Sequence, residues 1–247
     1  MSDSREKELF ETIKKLNIEL NERQVCQFLD YYDLLVSWNE KMNLTAVTSF
    51  PDVCLKHFAD SLSLIKLFDS FDDFVNFFSG KTLIDVGTGA GFPGIPLKIL
   101  VPNCKITLMD SLDKRIKFLN EVIGSLELEG IETIHGRVED FAHDKTMRES
   151  FDVSVARAVA ALPVLSEYCL PFVKVGGIFI AMKSEKAGEE LAMSNHALDT
   201  LGGTLKKNVS FNLLDSSLSR TLLLFEKEKE TPKAYPRKAG TPSKKPL

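Results

Sequence analysis

A glycine-rich segment between a strand pattern and a helical pattern constrains the fold more than any other feature of this chain. Residues Thr82–Gly94 read TLIDVGTGAGFPG. The apolar run Thr82–Val86 predicts a buried strand, and the glycines at 87, 89 and 91 permit a tight turn after it. In open α/β sheets, a strand that leads through such a turn into a helix binds a nucleotide-like ligand at the carboxyl ends of the strands. We therefore expect a ligand site at this turn.

The chain continues with short β-type runs separated by helical runs. Strands separated by helices of this size are typical of βαβ units, which build a parallel sheet covered by helices. Gly176-Gly177 predicts a turn into the fifth strand, and the last two runs are joined too closely for a crossover helix, which indicates an antiparallel hairpin. The predicted strands are 82–86, 105–109, 132–135, 153–156, 178–182, 204–211 and 221–226. We therefore predict an α/β fold with a mainly parallel seven-stranded sheet and an antiparallel C-terminal hairpin.

Both ends of the chain depart from this pattern. Apolar residues recur at steps of three and four through residues 9–36, with Asn21 placed as a helix cap, and a third helix is predicted over 51–67. The C-terminal residues contain four of the ten prolines and five basic residues without an acidic one, which predicts a mobile cationic tail without regular structure. The predicted division is an N-terminal helical extension over 1–75, the α/β domain over 76–230 and the basic tail over 231–247.

Composition limits the class of protein. Of the 247 residues, 44% are hydrophobic and 27% are charged, which is ordinary for a globular chain. No apolar run is long enough to span a membrane, and the first residues lack a secretory pattern. The four cysteines lie far apart without a CxxC pair, so we expect no metal site and a cytoplasmic protein. Nothing in the sequence pattern demands more than a monomer, so we expect a monomeric protein. Because the net charge is −4, any contact with nucleic acid must be local.

Two acidic residues at strand ends narrow the choice of ligand. Gly89–Gly94 matches the dinucleotide pattern GxGxxG, but the Asp85 carboxylate just before the turn would repel a pyrophosphate and attract a cationic ligand. Asp110 ends the second predicted strand, where an acid accepts hydrogen bonds from ribose hydroxyls. The region resembles the DxGxGxG pattern of Rossmann-like methyltransferases that use S-adenosylmethionine (AdoMet). A dinucleotide is the alternative ligand.

Further motifs along residues 9–247 resemble a single family. They are Trp38-Asn39, Asn43-Leu44-Thr45, His57–Ser61, Asp85–Leu97, Leu108–Leu119, Ala156–Ala158 and the ending Pro232–Leu247. Together they resemble the bacterial small-subunit ribosomal RNA guanine-N7 methyltransferase G family, also called glucose-inhibited division protein B. The resemblance implies a Rossmann-like fold, AdoMet as cofactor, and methyl transfer to N7 of one guanine in the decoding region of 16S rRNA. Its implied partner is that RNA within the small ribosomal subunit.

The resemblance also implies cofactor-binding positions. Carried over residue by residue, they are Gly87, Phe92, Val138, Glu139 and Arg157. The general argument from the fold adds Asp85, Gly89 and Asp110. Guanine N7 carries a free lone pair and needs no general base, so we expect a direct in-line displacement without a covalent intermediate. The enzyme then contributes proximity, alignment and electrostatics.

Arg157 and Lys183 are the two residues that we expect to act in catalysis, by positioning and electrostatics. Arg157 ends the fourth predicted strand and offers donors to the AdoMet carboxylate or to guanine O6. The alternative for Arg157 is a structural ion pair with Asp152 or Glu139. Lys183 ends the fifth predicted strand and either contacts a phosphate or is simply solvated.

Candidate RNA contacts come from three regions of the chain. One face of the third helix carries polar residues that either face the cleft or form a hydrogen-bonded junction with the sheet. The helix after the second strand begins with a cation that reaches either a phosphate or a neighbouring acid. The tail either adds salt-dependent affinity for rRNA or only solubilises the chain. The candidates are His57, Ser61, Arg115, Arg237 and Lys238.

Three other functions are alternatives to rRNA methylation. An AdoMet-dependent methyltransferase of a small molecule or protein suits the acidic body of the chain. A ribosome-assembly factor that binds AdoMet without turnover is the second. An NAD-dependent oxidoreductase is the third, although no hydride-transfer site stands out.

Overall fold

A single seven-stranded sheet organises the molecule. The computed structural model describes residues 2–247, with side chains from Ser4 onward. The strands are β1 (Thr82–Val86), β2 (Lys105–Asp110), β3 (Ile131–His135), β4 (Phe151–Arg157), β5 (Val173–Lys183), β6 (Gly203–Asn212) and β7 (Ser219–Lys227). Their order is β3-β2-β1-β4-β5-β7-β6. Strands β1 to β5 pair in parallel, whereas β7 pairs antiparallel with both β5 and β6. The predicted strands and the predicted hairpin are confirmed.

The N-terminal helices precede the sheet and share its core. They are α1 (Ser2–Lys14), α2 (Glu22–Met42), a continuous segment over 50–67, and α5 (Phe71–Phe78). Asn21 caps α2 as predicted: its side chain accepts from the Gln24 amide while the Gln24 side chain accepts from the Asn21 amide. Apolar side chains of α1, α2 and the 50–67 segment lie in one cluster with one face of the sheet. The proposed boundary between 75 and 76 falls within α5, and the division into three parts stays a prediction.

The 50–67 segment changes its winding where it carries polar residues. It consists of α3 (Phe50–Val53), a π-helical stretch over Cys54–Ala59, α4 (Asp60–Leu62) and a 3-10 turn over Ser63–Leu67. Short π-helical stretches are frequently found at functional sites.

The remaining helices cover the sheet. They are α6 (Gly94–Leu100), α7 (Asp113–Ser125), α8 (Val138–Phe141), α9 (Leu162–Cys169), α10 (Ala187–Ala192) and α11 (Asn195–Leu201). Side chains of α6 and α7 join the cluster formed with the N-terminal helices, while α9 and α11 pack in a second cluster on the other face of the sheet. None of the described helices is long and apolar enough to cross a membrane.

The turn predicted at Gly176-Gly177 is wrong, because both glycines lie inside β5. The pairing of β4 with β5 shifts there, from Phe151 opposite Val173 to Val153 opposite Ile178. Gly176 has φ of 82°, which glycine adopts easily at a bulge. The glycines therefore allow the strand to continue through an irregularity.

The prediction of a free, irregular tail is also wrong. Residues 231–247 lie on the body of the protein and include a short helix, α12 (Thr241–Lys244). Arg148 binds the carbonyls of Tyr235 and Thr231 at 2.8 and 2.7 Å, and the His143 ring contacts the Pro236 carbonyl at 2.7 Å. The prolines do not prevent this docking, because these contacts use tail carbonyls, which proline retains. The tail amides that donate to the body belong to the non-proline residues Thr231, Arg237 and Gly240.

Candidate functional site

Asp85 determines the shape of the glycine loop from beneath it. This carboxylate is 1% exposed, and its Oδ2 accepts from the Thr88 hydroxyl at 2.7 Å and from the Gly94 amide at 2.8 Å. Burial raises the pKa of Asp85 to about 6. Its Oδ1 has no hydrogen-bond partner among the described residues. Asp85 therefore holds the loop together from beneath. A direct contact between Asp85 and a cofactor stays a prediction.

A cleft of about 460 Å³ lies at the carboxyl ends of β1, β2 and β3; we call it the glycine-loop cleft. A volume of this size is common for small-molecule sites. Four of the predicted cofactor residues line it: Gly87, Asp110, Val138 and Glu139. Gly87 has φ of 70°, and a Cβ there would lie 2.7 Å from the Val159 side chain. The loop thus leaves room for a ligand, and a larger residue at position 87 would reduce this room.

Asp110 connects the predicted residue Gly89 to the glycine-loop cleft. Its Oδ2 accepts from the Gly89 amide and from Arg115 Nη1, each at 3.0 Å, and its Oδ1 accepts from the Leu112 amide at 3.0 Å. A carboxylate accepts about four hydrogen bonds. One acceptor site on Asp110 therefore suits a ribose hydroxyl. Arg115, a predicted RNA contact, is ion-paired here, and its side chain is 33% exposed.

Phe92 lies in an aromatic stack beside the cleft rather than on its wall. The ring is 4% exposed, with ring centroids 5.2 Å from Tyr31 and 4.6 Å from His57. The Arg157 guanidinium lies over the same ring, 5.1 Å from its centroid. Phe92 therefore supports His57 and Arg157 from below. Whether it also contacts a cofactor stays a prediction.

A second cleft, of about 330 Å³, adjoins the first; we call it the Asp60 cleft. Half of its lining residues are charged, and His57 lies among them: Lys56, Asp60, Arg157, Lys183, Glu190 and Arg220. The two clefts share Ala158, the residue after β4, which has φ of 57°. Backbone strain of this kind in a non-glycine residue is concentrated at functional sites.

Two guanidinium groups share the buried carboxylate of Asp60. Arg157 Nη1 donates to Oδ2 and Arg220 Nε donates to Oδ1, each at 2.6 Å. Arg157 also donates to the Lys56 carbonyl at 3.0 Å. The alternative expectation for Arg157 named the wrong acids: Asp152 instead bonds Thr82, and the partner of Arg157 is Asp60. Asp60 was noted only as a member of a polar helix face, and nothing in its sequence context pointed to Arg220.

His57 belongs to a hydrogen-bonded chain beside Arg157, whose Nη2 lies 3.5 Å from His57 Nδ1. Its Nδ1 lies 3.1 Å from the Lys56 carbonyl, which can only accept, so Nδ1 carries the proton. Its Nε2 then accepts from the Thr45 hydroxyl at 2.9 Å, while the Thr45 amide donates to the Asn39 side chain at 2.8 Å. Burial, with the neighbouring Arg157 charge, lowers the pKa of His57 to about 4. The ring is therefore neutral near pH 7.

Ser61 and Lys183 differ from what their positions in the sequence predict. Ser61 is 1% exposed and its hydroxyl donates to the His57 carbonyl at 2.6 Å, so the prediction of an RNA contact at Ser61 is wrong. Lys183 is neither solvated nor free: its ammonium is ion-paired with Glu190 at 2.6 Å and donates to the Ala160 carbonyl at 2.8 Å. Glu190 also accepts from the Leu162 amide, so this pair holds the loop after β4.

The tail brings residues to the site that the sequence did not indicate. Gly240 and Ser243 line the glycine-loop cleft together with Tyr168 of α9. Of the predicted tail contacts, Lys238 is exposed, whereas Arg237 is ion-paired with Glu167 at 2.6 Å. Among the described residues, no group of His, Cys, Asp or Glu is arranged to hold a metal ion.

Solved structures share this architecture. A sarcosine dimethylglycine methyltransferase of Galdieria sulphuraria has a TM-score of 0.55 and 11% identity, covering 81% of this chain and 99% of its own. A transferase of Pyrococcus horikoshii has a TM-score of 0.54 and 15% identity, covering 70% and 64%. At these identities the likeness concerns the fold, which is the Rossmann-like methyltransferase fold.

Sequence comparison identifies the family. The chain is 53% identical over 235 residues to the ribosomal RNA small subunit methyltransferase G of Lachnoclostridium phytofermentans, covering 95% of this chain and 94% of that protein. It is 49% identical over 239 residues to the protein of the same name from Acetivibrio thermocellus, covering 97% and 95%. The model of the GidB family, described as rRNA small subunit methyltransferase G, matches residues 24–224. This chain therefore belongs to the GidB family of small-subunit rRNA methyltransferases G.

Proposed function

We propose that this methyltransferase transfers a methyl group to N7 of one guanine in the decoding region of 16S rRNA. AdoMet occupies the glycine-loop cleft, and the target guanine enters the Asp60 cleft. The observation that carries this assignment is that the two clefts, both at the carboxyl ends of the strands, meet at Ala158. A donor in one cleft and an acceptor in the other can therefore be brought together in line.

The residues of the glycine-loop cleft fit AdoMet, the cofactor of this methyltransferase. Gly87 allows close approach of a ligand to the backbone, Asp110 has an acceptor site left for a ribose hydroxyl, and Val138 and Glu139 line the same cleft after β3, where we place the adenine. When bound, AdoMet supplies an electrophilic methyl group on a sulfonium. The protein's part is to bind and orient this cofactor, and no covalent bond to a side chain is required.

In the Asp60 cleft, the residues position the target guanine and do not exchange protons with it. Guanine N7 is unprotonated near neutral pH, and the neutral His57 ring has both nitrogens engaged by Lys56 and Thr45. Arg157 is anchored through Nη1, and its Nη2, which lies 3.5 Å from His57 Nδ1, has an N–H to offer to the O6 edge of a guanine. Asp60 offsets one of the two positive charges that Arg157 and Arg220 bring beside the reacting centre. Catalysis then rests on alignment and electrostatics.

The substrate that we propose is 16S rRNA within the small ribosomal subunit, bound by a monomer in the cytoplasm. Exposed cations near the clefts supply phosphate contacts. Lys238 and Lys244 flank the two tail residues that line the glycine-loop cleft. At the Asp60 cleft, the Lys56 side chain is 38% exposed and is ion-paired with Asp52 at 2.7 Å. The body remains acidic, so these contacts are local.

The test uses small subunits from a strain that lacks the enzyme, methyl-labelled AdoMet, and mapping of label by cleavage at 7-methylguanine. We expect one labelled guanine in the decoding region. Arg157→Met should lose most of the labelling, while Lys105→Met, which also removes one positive charge but from an exposed residue at the start of β2, should retain it. Label at another atom or another RNA contradicts the proposal. Binding of AdoMet without label on RNA supports the small-molecule or assembly-factor alternatives.

A further inference from the structure

The C-terminal residues include a segment, Tyr235–Lys245, that we call the strap. It crosses from the region beside Arg148 to the glycine-loop cleft and is held at both ends. Next to its first residues, Thr231 is 3% exposed, and its hydroxyl donates to the Leu201 carbonyl at 2.8 Å. These contacts differ from those of a solubilising tail, which would leave its polar groups to water.

The strap is anchored by a buried carboxylate in α9. Glu167 is 0% exposed, and its hydrogen bonds within the described structure all come from Arg237. Arg237 donates its backbone amide at 2.7 Å and its Nε at 2.9 Å to Oε1, and its Nη2 at 2.6 Å to Oε2. A buried charge without a partner is costly, so α9 depends on the strap as much as the strap depends on α9.

Beyond this anchor, the strap forms part of the cleft wall. The Gly240 amide donates to Glu139 Oε1 at 3.1 Å, and the Ser243 hydroxyl lies 3.1 Å from the Tyr168 hydroxyl. All four of these residues line the glycine-loop cleft. Glu139 is 8% exposed, so the Gly240 amide is one of the groups that fix the direction of its carboxylate.

We propose that the strap is a component of the AdoMet site, which it builds by holding Glu139 in place and by closing the cleft with Gly240 and Ser243. Arg237 is then a positioning residue that acts through the strap. This inference rests on the placement of AdoMet in the glycine-loop cleft. It gives Arg237 a role in cofactor binding, in place of the RNA contact expected from its charge.

Arg237→Met and its neighbour Lys238→Met form a matched pair that removes the same charge from adjacent positions. Binding of AdoMet and of S-adenosylhomocysteine is measured by calorimetry without RNA. We expect Arg237→Met to raise both dissociation constants about tenfold, because release of the strap removes the hydrogen bond from the Gly240 amide to the ionised Glu139. Lys238→Met should leave both dissociation constants unchanged. With small subunits as substrate, KM for AdoMet should rise while kcat at saturating AdoMet is retained.

Two further measurements separate a cofactor role from general damage. Glu167→Gln should repeat the effect of Arg237→Met, and the double variant should add little, because both changes release the same anchor. Hydrogen exchange should become faster around Gly240 and stay slow in β1 and β4. If the strap is released in this way and AdoMet still binds with wild-type affinity, the inference is overturned.

A variant that leaves the anchor intact covers the case in which Arg237→Met does not fold. Ser243→Phe places an aromatic ring at the cleft wall and should weaken AdoMet binding, whereas Lys244→Phe, next to it and outside the lining residues, should not. Equal affinities for the two variants would overturn the inference. If the wild-type protein itself binds no AdoMet, the failure lies in the proposed function instead.

Discussion

At the scale of single residues, backbone conformation decides what the glycine loop can accept. Gly87 has a left-handed φ of 70° and faces Val159, whereas Gly124, within α7, has no neighbour within 4 Å of a Cβ built on it. Substitution by alanine should therefore harm the loop at Gly87 and help the helix at Gly124. Gly87 has a conformation that suits glycine, whereas Gly124 lowers the stability of α7 without any close neighbour that requires it.

Gly87→Ala should lower AdoMet affinity strongly, because the new Cβ strains the turn and displaces Val159 toward the cleft. Gly124→Ala should leave AdoMet binding unchanged and raise the free energy of unfolding by about 0.5–1 kcal/mol. Calorimetric titration and urea unfolding of both variants measure the two effects. Wild-type affinity in Gly87→Ala would show that no ligand approaches this turn.

His57 makes the stability of the protein depend on pH. Its pKa of about 4 in the folded state lies below the ordinary value of 6.5, so the unfolded chain binds the proton first as pH falls. The stabilisation is complete above pH 6.5 and is lost as pH falls through 4. Between pH 7.5 and 5 the loss is about 2 kcal/mol. Urea unfolding should show that His57→Gln reduces the pH dependence of stability by this amount; an unchanged dependence would mean that the His57 ring has the same pKa in the folded and unfolded states.

At the scale of secondary structure elements, the Asp60 cleft is where three of them meet. The 50–67 segment supplies Asp60, β4 supplies Arg157 and β7 supplies Arg220. The partners Asp60 and Arg220 are 160 positions apart in the chain. This three-way ion pair therefore connects the N-terminal helices to the sheet at the place where chemistry is expected.

Asp60→Asn should destabilise the protein by about 3–5 kcal/mol, because it leaves two nearly buried guanidinium groups without a counter-charge. Asp33→Asn removes one partner of the exposed Arg5–Asp33 pair and should cost less than about 1 kcal/mol. Denaturant unfolding of both variants makes the comparison. Similar losses would mean that water screens the Asp60 cluster as well as it screens the surface pair.

At the scale of the whole molecule, the docked tail gives an acidic protein a cationic rim next to the glycine-loop cleft. Lys238, Lys244 and Lys245 are exposed on the same segment whose Gly240 and Ser243 line that cleft. Deleting the tail would remove both the rim and the cleft wall. Substitution of the lysines alone separates these two contributions.

Lys238, Lys244 and Lys245, changed together to Gln, should weaken binding to 16S rRNA and flatten its salt dependence. The slope of log K against log salt should fall by about 0.7–0.9 for each phosphate that the variant no longer neutralises, while AdoMet affinity is unchanged. Filter binding between low and moderate salt measures the slope. Lys7, Lys105 and Lys229, exposed elsewhere, provide the control triple. Equal slopes for the two triple variants would show that the tail lysines do not contribute to RNA binding.

The sequence predicted the periodic parts of this structure better than its long-range contacts. Strand β1, the cap at Asn21 and the carboxyl-end positions of Asp110 and Arg157 follow from local patterns. The pairing of Asp60 with Arg220 depends on the tertiary arrangement of distant elements, which local patterns do not encode.

The docking of the tail was missed for a related reason. Proline and charge indicate a solvated segment, unless buried partners such as Glu167 are provided elsewhere in the chain. Ser61 was misplaced because helical spacing gives the face of a residue and not what covers it.

Because β7 lies between β5 and β6, the sheet cannot be assembled strand by strand in chain order. Strand β6 joins the sheet through β7, so it has to wait for a strand that follows it in the chain. Arg220 belongs to β7, so the Asp60 cleft is complete only when β7 has paired with β5. Contacts between such distant parts of a chain form slowly during folding. The pocket that we assign to the guanine thus depends on β7, and a partly assembled sheet without this strand would lack Arg220 in its wall.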